Sequence, residues 1–555
     1  MKIFYCIKNG KEGFMKSMKK YLVILVVVLL AVTISFVGCK ATTTETTAAA
    51  AETTAAPATT AAAADTEAQE STTEAGETTA AAETTAAAAV EAKPFTIADI
   101  PEIKNKTDLS FIVETGATFD KMLPYIQKFT EKTGVKVNIE RIATPVVYSK
   151  ENVELVAGTG VYDMAYVETA WTDEWAQYLT PMVDLAKQYE SVDAFNASLA
   201  TQAAPILSTA MTNGVLMVVP FYTYQTGMFL RQDVFDDPTE QANFKAKYGY
   251  DLKPATTTQQ LLDQETFFTR KKGEMLKGKP LEKDLYGMAM QASAYQANDE
   301  FSTYLWGNGG DYVDVIKDAS GKVTEFDITK KNNDLMVQTM KEYRERVKLA
   351  SPGVLTANFD FVVGSLGEGS SIITGMMYSN CFAWNCDVLK ESVGKTDPSA
   401  KLGEYPTIGK KGYTGAWSFG VPKASKNPEA AYWLIRWLSS TEAQKVVMKE
   451  AGQISTRMDV IEDPMWKTPE NIYPFGQLVD YLKACWTDAD FAKFLSNEYY
   501  FNAASGGKVT EMHMNTLSKG MSGELSPEDC IASLNKQMID LVTKFDTVPI
   551  KDLSK

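Results

Sequence analysis

The sequence predicts an α/β protein whose folded part forms two domains. From Leu109 onward, short strand patterns alternate with helix patterns, which is typical of a parallel sheet covered by helices. About 460 residues, from Lys93 to Lys555, have an ordinary globular composition, and a chain of that length exceeds what one hydrophobic core supports. The residues before Lys93 differ sharply in composition, so they are predicted to lie outside the fold.

The first elements follow from apolar periodicity and from glycine. Leu109–Val113 is a short apolar run and predicts a strand. Phe119–Thr133 repeats apolar residues at helical spacing and predicts a helix that Gly134 ends. The next elements expected are a strand at Val135–Ile139, a helix at Glu151–Ala157, a turn at Gly158–Gly160 and a strand at Tyr162–Val167.

The later elements are predicted in the same way. Two strands, Val215–Val219 and Thr226–Arg231, are expected to bracket a turn at Pro220. Ser526 is a plausible N-cap of a C-terminal helix, with Pro527 in its first turn. The helices expected are Asp334–Ala350, Glu429–Leu438 and Ser526–Lys544, and the loops expected are Gly403–Gly412 and Ser505–Gly507.

The N-terminal segment has the pattern of a secretory signal. Lysines precede the apolar run Tyr21–Val37, which is followed by Gly38 and then Cys39. A cysteine directly after the cut resembles the lipobox of bacterial lipoproteins, in which the thiol is diacylated, with palmitate as an expected acyl group. The alternative is an uncleaved transmembrane helix, because Tyr21–Gly38 is near the lower length limit for a span. Both interpretations place the rest of the chain outside the cytoplasm, at the extracellular face of a bacterial cell membrane.

Residues 39–93 are predicted to form a disordered linker that starts at the lipidated Cys39. From Ala41 to Ala92 the chain has no aromatic residue, and the unit Ala-Glu-Thr-Thr-Ala-Ala occurs at residues 51–56 and again at 82–87. Such a segment cannot bury enough apolar surface to offset the entropy lost on ordering. We therefore expect an acidic spacer between a lipid anchor and the folded part.

Charge and cysteine content exclude several classes of function. The net charge is −15, and removal of residues 1–38 would make it more negative, which argues against nucleic acid as a partner. For the cysteines of the folded part, both buried free thiols and a Cys381–Cys386 disulfide stay open. Their spacing and a single histidine, His513, argue against zinc. No P-loop or dinucleotide fingerprint is present, so neither a metal nor an organic cofactor is expected.

Six segments carry a resemblance that covers nearly all of the folded part. They are Phe129–Val137, Tyr162–Tyr166, Val219–Tyr222 followed by Arg231–Phe235, Tyr248–Asp251, Trp306–Gly310 and Trp417–Val421. In order and spacing they resemble the extracellular solute-binding proteins of family 1, which are the maltose-binding-protein-like receptors of ABC importers. The resemblance implies a two-lobed periplasmic-binding-protein type II fold with a hinge between the lobes. It also implies a monomer that delivers a ligand to the transmembrane subunits of an ABC permease.

The resemblance divides the folded part into two lobes and places a ligand between them. The first lobe is expected to comprise residues 94–219 and 381–422, and the second residues 220–380 and 423–555. Aromatic faces combined with carboxylates or amides suit the apolar faces and hydroxyl groups of a carbohydrate. We therefore expect a sugar, an oligosaccharide or a polyol in the cleft between the lobes.

The residues expected to bind that ligand are mostly aromatic. Glu168, Thr169 and Trp171 follow a strand that ends at the cleft, by the resemblance, and Tyr222 and Tyr224 follow the first crossing between lobes. The aromatic triplet Tyr499–Phe501 lies in another of the proposed loops, whereas Trp433 and Trp437 are expected in the core. The full expected set is Glu168, Thr169, Trp171, Tyr222, Tyr224, Asn298, Asp299, Trp306, Trp384 and Trp417.

Enzymatic interpretations have less support, and we expect a protein that is not an enzyme. One histidine makes a zincin motif impossible. Ala416–Gly420 has alanine where a nucleophile elbow requires glycine. Paired carboxylates for glycoside hydrolysis are not excluded, so a secreted carbohydrate-active hydrolase lipoprotein is the alternative function, followed by a purely adhesive surface protein.

Overall fold

The computed structural model describes residues 94–319, 322–412, 414–487 and 505–554. The predicted signal (1–38), the lipidation site Cys39, the linker (39–93) and Tyr499–Phe501 lie outside the described residues. Among the helices described, none is both long enough and apolar enough to cross a membrane.

Strands and helices alternate along most of the described chain. The strands are β1 (Leu109–Glu114), β2 (Val137–Ile142), β3 (Ala165–Glu168), β4 (Leu179–Thr180), β5 (Met211–Thr212), β6 (Val215–Leu216), β7 (Val219–Arg231), β8 (Met275–Leu276), β9 (Lys279–Pro280), β10 (Tyr286–Ala289), β11 (Asp314–Lys317), β12 (Val323–Thr329), β13 (Ser371–Thr374), β14 (Met377–Tyr378), β15 (Leu402–Tyr405), β16 (Thr414–Pro422) and β17 (Ile550–Leu553).

The helices cover the faces of these strands. They are α1 (Ala117–Thr133), α2 (Thr144–Ala157), α3 (Thr172–Trp175), α4 (Met182–Tyr189), α5 (Val192–Leu199), α6 (Ala204–Ser208), α7 (Gln232–Phe235), α8 (Pro238–Tyr248), α9 (Thr258–Phe268), α10 (Ala294–Gly307), α11 (Lys330–Val347), α12 (Phe359–Gly367), α13 (Phe382–Glu391), α14 (Pro428–Leu438), α15 (Thr441–Lys449), α16 (Met458–Ile461), α17 (Gln477–Thr487), α18 (Gly506–Ser522) and α19 (Pro527–Phe545).

One long strand, β7, connects two regions of the central sheet, whose strand order is β10–β13–β7–β16–β3. Its first half pairs antiparallel with β16, which in turn pairs with β3. Its second half, from Thr226 to Arg231, pairs with β13, β14 and β15. We call the region around β1, β3 and β16 the first lobe, and the region around β10, β13 and β15 the second lobe.

The turn predicted at Pro220 is wrong, because β7 runs through this residue without a break. Proline cannot donate a hydrogen bond to a sheet, and within sheets it is confined to edges, strand starts and bulges. The pairing of β7 with β16 shifts register between Trp417 and Ser418, opposite Tyr222 and Pro220. This irregularity accommodates the proline within the strand.

Several other predicted elements are confirmed. The strand at Leu109 and the helix that Gly134 ends are both present, and Gly134 adopts the left-handed conformation with φ 76°. The C-terminal helix begins at Pro527, and the Ser526 hydroxyl accepts a hydrogen bond of 3.0 Å from the Asp529 backbone N–H. Trp433 and Trp437 are buried, as expected of core residues.

Two predicted loops are wrong. Gly403–Gly412 contains most of β15 and a 3-10 turn at Ile408–Lys410. Ser505–Gly507 contains the start of α18, because the glycines serve packing rather than a turn. A Cβ atom at Gly507 would lie 2.7 Å from Oε2 of Glu174 in the first lobe.

The helix pair α14 and α15 packs against α1 of the first lobe. The Trp437 indole N–H donates a 2.8 Å hydrogen bond to the Tyr125 carbonyl, and Lys128 forms an ion pair with Glu442 at 2.9 Å. The boundaries drawn from sequence place this pair in the second lobe. Because its apolar face covers α1, we propose that α14 and α15 belong to the first lobe.

The four cysteines of the described chain, Cys381, Cys386, Cys485 and Cys530, are free and buried. The structure thus favours the free thiols over the Cys381–Cys386 disulfide. Burial raises the pKa of the Cys530 thiol to about 11, so this thiol stays protonated at neutral pH.

Candidate functional site

The carboxyl end of β3 supplies the first polar group of the site. Glu168 is the last residue of β3, and its carboxylate accepts a 2.7 Å hydrogen bond from the Ala170 backbone N–H, which caps the 3-10 turn Thr169–Trp171. The Tyr224 hydroxyl, from β7, donates to the other oxygen of Glu168. One hydrogen bond from the turn that follows β3 and another from β7 therefore hold this carboxylate in place.

Beside Glu168, three aromatic rings form a wall. In the register of the sheet, Trp417 of β16 lies opposite Glu168 of β3 on one side and opposite Tyr222 of β7 on the other. Its ring stacks on Tyr166 with centroids 4.3 Å apart and meets Trp171 edge-on at 5.3 Å. Trp417 keeps 6% of its surface exposed. A rigid indole that is nearly enclosed but still reachable is suited to stacking on a ligand.

A second carboxylate, Glu114, stands at the carboxyl end of β1. It accepts hydrogen bonds from the hydroxyls of Tyr222, Tyr166 (3.3 Å) and Thr144 (2.9 Å). The two tyrosine hydroxyls are themselves 2.9 Å apart. Glu114 was not predicted, although a polar residue at the carboxyl end of a parallel strand is a signal that could have found it.

The second lobe contributes a third carboxylate, Asp299 on α10. It accepts a 2.7 Å hydrogen bond from the Tyr378 hydroxyl and a 2.9 Å hydrogen bond from the Asn298 side-chain amide. The rings of Tyr378 and Tyr224 meet edge-on at 5.8 Å. Glu168, Tyr224, Tyr378 and Asp299 thus form a continuous chain of contacts from the first lobe to the second.

Burial raises the pKa of all three carboxyl groups. Burial, opposed in part by the Tyr224 hydrogen bond and reinforced by the charge of Asp299, raises the pKa of Glu168 to about 7. Burial also raises the pKa of Glu114 and of Asp299. The pKa of Tyr295 is raised well above its usual value by burial and then by the charges of Glu114, Glu168 and Asp299. These three carboxylates therefore converge on one small region.

A further contact joins the lobes at the start of α18. The ammonium of Lys508 forms an ion pair with Glu174 of α3, with 28% and 7% of the side chains exposed. The Tyr148 hydroxyl donates to the carboxylate of Glu174, and its oxygen lies 2.9 and 3.0 Å from the two carboxylate oxygens. The backbone of Gly507 lies against the same carboxylate and against Trp171. The second lobe is thereby held against the aromatic wall of the first.

The structure brings together most, but not all, of the predicted site residues. Thr169 instead anchors its turn to β16, since its hydroxyl accepts from the Ala416 backbone N–H at 2.8 Å. Trp306 is only 1% exposed, and its indole N–H donates to Asp311, which marks it as a core residue. Trp384 is 42% exposed on α13. The predicted residues that meet where the lobes adjoin are Glu168, Trp171, Tyr222, Tyr224, Asn298, Asp299 and Trp417.

A separate cavity of about 220 Å³ lies behind β3 and is not part of this site. It is bounded by α2, by the turn Gly158–Gly160 and by Pro422–Ala424. Glu151 lines it and accepts a 2.8 Å hydrogen bond from the backbone N–H of Tyr166. Its lining shares no residue with the cluster of carboxylates and aromatic rings.

The raised pKa of Glu168 leads to a pH prediction. The pKa of Glu168 is about 7 in the folded protein, whereas the ordinary value is 4.5. A carboxyl with such a raised pKa contributes its full stabilisation below pH 4.5, and this contribution is lost as the pH rises through about 7. The free energy of unfolding should therefore fall between pH 5 and pH 8 by on the order of 3 kcal/mol more in the native protein than in Glu168→Gln. Urea unfolding of both proteins at the two pH values measures this difference. Equal pH slopes would contradict the prediction, because other titrating groups contribute to both proteins alike.

Comparison with known proteins identifies the architecture. The model of the family described as bacterial extracellular solute-binding protein matches residues 112–445. A probable amino-acid ABC transporter periplasmic-binding protein of Sinorhizobium fredii is 24% identical over 374 residues, covering 66% of this chain and 76% of that protein.

Two solved structures are similar over their full length. Maltose-bound MalE3 of T. maritima has a TM-score of 0.60 at 20% identity, covering 78% of this chain and 100% of its own. A ribitol-bound ABC transporter solute-binding protein of Agrobacterium radiobacter K84 has a TM-score of 0.59 at 17% identity, covering 80% and 100%. At such identities the likeness establishes the fold, which is that of two-lobed periplasmic binding proteins.

Proposed function

The chain belongs to the family of bacterial extracellular solute-binding proteins, and on that premise we propose that it captures a carbohydrate between its lobes for an ABC importer. Members of this family bind small molecules outside the cytoplasm and are not enzymes. The ligand we propose is a sugar, an oligosaccharide or a polyol. The observation that carries the proposal is the convergence of the Trp417 wall with carboxylates from both lobes.

The division of the polar groups between lobes suits ligand-driven closure. Glu168 and Glu114 belong to the first lobe, whereas Asp299 and Tyr378 belong to the second. A ligand that accepts or donates hydrogen bonds on both sides stabilises the closed state only through contacts that the open state lacks. Because β7 runs through both lobes, they can rotate about it with little repacking of either core.

The chemistry of the cluster favours a carbohydrate over a free amino acid. Maltose and ribitol occupy the two structurally similar proteins, whereas the relative from S. fredii is named for amino acids. A free amino acid carries a carboxylate, which requires a cation or several donors when it is buried. In the described chain, the side chains around Glu114, Glu168 and Asp299 are tyrosines, tryptophans, an asparagine and a threonine. The hydroxyl groups and ring faces of a sugar fit this lining better than the carboxylate of an amino acid does.

We further propose that the receptor is lipid-anchored through Cys39 after cleavage of residues 1–38. The anchor, with the linker 39–93, would hold a monomeric receptor at the extracellular face of the membrane, within reach of the transmembrane subunits of the permease. The support is the sequence pattern around Cys39 together with the extracellular nature of the family.

A panel of saccharides and polyols tests the proposed function. The chain without residues 1–38 should be stabilised against thermal unfolding by at least one member, by about 2.7 kcal/mol at a hundredfold excess over Kd. No reducing ends should be released over several hours of incubation. Release of reducing ends would support the hydrolase alternative instead. Absence of stabilisation across a panel of monosaccharides, disaccharides and polyols would contradict a carbohydrate receptor.

A further inference from the structure

The site where the lobes meet gathers three carboxylates with neutral hydrogen-bond donors. The Tyr224 hydroxyl donates to Glu168, and its ring meets edge-on at 5.8 Å the ring of Tyr378, whose hydroxyl donates to Asp299. Tyr222, two residues before Tyr224 on the same strand, donates to Glu114. Their donors are tyrosine and threonine hydroxyls, one side-chain amide and one backbone N–H. In the residues that the structure describes, none of the three accepts a hydrogen bond or an ion pair from lysine or arginine.

Buried carboxylates elsewhere in the described chain are commonly paired with cations. Asp233 contacts both Arg231 and Lys277 at 2.8 Å, although all three side chains are largely enclosed. Glu265 faces Arg346 at 3.4 Å in the second lobe. The chain therefore pairs some enclosed carboxylates with cations, whereas among the described residues no lysine or arginine is paired with the carboxylates between the lobes.

Some buried carboxyl groups do lack a cation, but their situation is different. Glu151, Glu300 and Glu404 are enclosed in the core, and burial raises the pKa of each well above its ordinary value. Each can therefore persist as a neutral acid without a partner. Burial also raises the pKa of the three carboxyls between the lobes, so the difference lies in exposure: Glu114 and Asp299 are only partly buried, whereas Glu151, Glu300 and Glu404 are almost fully enclosed. The cluster of Glu114, Glu168 and Asp299 is instead placed where a ligand enters, so a ligand can supply the missing charge.

We propose that the ligand carries a protonated amino group, which binds between Glu168 of the first lobe and Asp299 of the second, as in an amino sugar or an amino polyol. This inference rests on the proposed carbohydrate function and narrows it. An ammonium group has three N–H donors, and its hydrogen bonds to carboxylates are stronger than those of a hydroxyl. Trp417 and Trp171, which keep 6% and 8% of their surface exposed, add a favourable electrostatic environment for a cation.

The same reasoning separates ligand classes by charge. A sugar acid would place a fourth negative charge among three carboxylates, and like charges that are enclosed together are strongly unfavourable. A neutral sugar can satisfy the hydrogen bonds, but it leaves Glu168 and Asp299 to repel each other across the closing lobes. A cationic ligand removes that repulsion, so it stabilises closure more than its neutral counterpart.

Calorimetry with matched pairs of ligands tests the inference. The pairs are D-glucosamine with D-glucose, D-galactosamine with D-galactose, and the chitosan disaccharide with cellobiose; N-acetyl-D-glucosamine provides the same skeleton with an uncharged nitrogen. We expect at least one amine to bind about tenfold or more tightly than its neutral partner, and N-acetylation to abolish the preference.

In Asp299→Asn the ratio of amine affinity to neutral-sugar affinity should fall toward one, and Glu168→Gln is a second variant in case the first does not fold. Glu345→Gln, on the exposed face of α11, is the matched control and should keep the native ratio.

The outcomes distinguish this inference from the function on which it rests. If neutral sugars bind and no amine binds more tightly, the inference is wrong and the carbohydrate function stands. If the amine preference persists in both Asp299→Asn and Glu168→Gln, the assigned position is wrong. If no member of any pair binds, the inference is overturned, and if the panel of saccharides and polyols also fails to stabilise the protein, the proposed function is overturned with it.

Discussion

Replacing Gly507 with leucine is expected to weaken ligand binding by about tenfold to a hundredfold. The Cβ position of Gly507 lies 2.7 Å from Glu174, 3.2 Å from Tyr148 and 3.3 Å from Trp171, all in the first lobe. Glu174 cannot move aside freely, because Tyr148 and Lys508 both hold its carboxylate. Inserting a larger side chain into a packed contact costs about 1–3 kcal/mol, and because this contact joins the two lobes, the cost falls on the state in which they touch. Titration calorimetry with the best ligand of the saccharide panel measures the change.

Gly364→Leu is the matched control for this substitution. Gly364 also lies within a helix of the second lobe, and a Cβ atom there meets nothing within 4 Å. The control should bind as the native protein does. Small-angle scattering adds a second readout, since Gly507→Leu should keep the larger radius of gyration of the open form when ligand is present. Native affinity in Gly507→Leu would mean that α18 does not contact the first lobe in the bound state.

Removal of the ion pair between Lys508 and Glu174 should also weaken ligand binding. Lys508→Met leaves Glu174 nearly enclosed without its cation, and removal of one partner of a desolvated pair typically costs more than the pair contributes. We expect about a tenfold loss of affinity. Lys341→Met removes one member of the exposed Lys341–Glu528 pair and should change affinity less than twofold. Equal effects of the two substitutions would contradict a closing role for Lys508.

Several helices and strands could be predicted from the sequence because periodicity and glycine act locally, whereas the two-lobed architecture was implied by the family resemblance. The helix Ala117–Thr133 and its end at Gly134 need no tertiary information. The run through Pro220 is different, since the bulge that admits proline arises only when β16 pairs with β7. The start of α18 at Gly506 likewise depends on contact with a distant carboxylate. Elements whose conformation is decided by a partner far away in sequence were the ones predicted wrongly.

Site residues were predicted less well for a related reason. Tryptophan is used both as a core residue and as a ligand platform, and no pattern along the chain separates Trp306 from Trp417. Glu114 was not predicted, because its partners Tyr166 and Tyr222 lie on other strands and meet it only in the folded protein. Tyr378 and Tyr295 become relevant only through their contacts with Asp299 and with the carboxylates of the first lobe.

Replacing Trp417 with alanine is expected to reduce the free energy of unfolding by about 3–5 kcal/mol and to abolish measurable ligand binding. Trp417 stacks on Tyr166 at 4.3 Å and meets Trp171 at 5.3 Å, so its removal leaves two large rings without their partner. The cavity that the substitution creates would lie within the aromatic wall, between β3, which carries Glu168, and β7, which carries Tyr222. Urea denaturation and calorimetry measure the two effects.

Trp384→Ala is the control for Trp417→Ala. Both tryptophans were predicted as ligand contacts, yet Trp384 is 42% exposed on α13. Its removal should change the free energy of unfolding by less than about 0.5 kcal/mol, as for most exposed positions. Unchanged stability together with lost binding in Trp384→Ala would place this indole at the ligand. Unchanged stability and binding in Trp417→Ala would show that the aromatic wall is not what the lobes close upon.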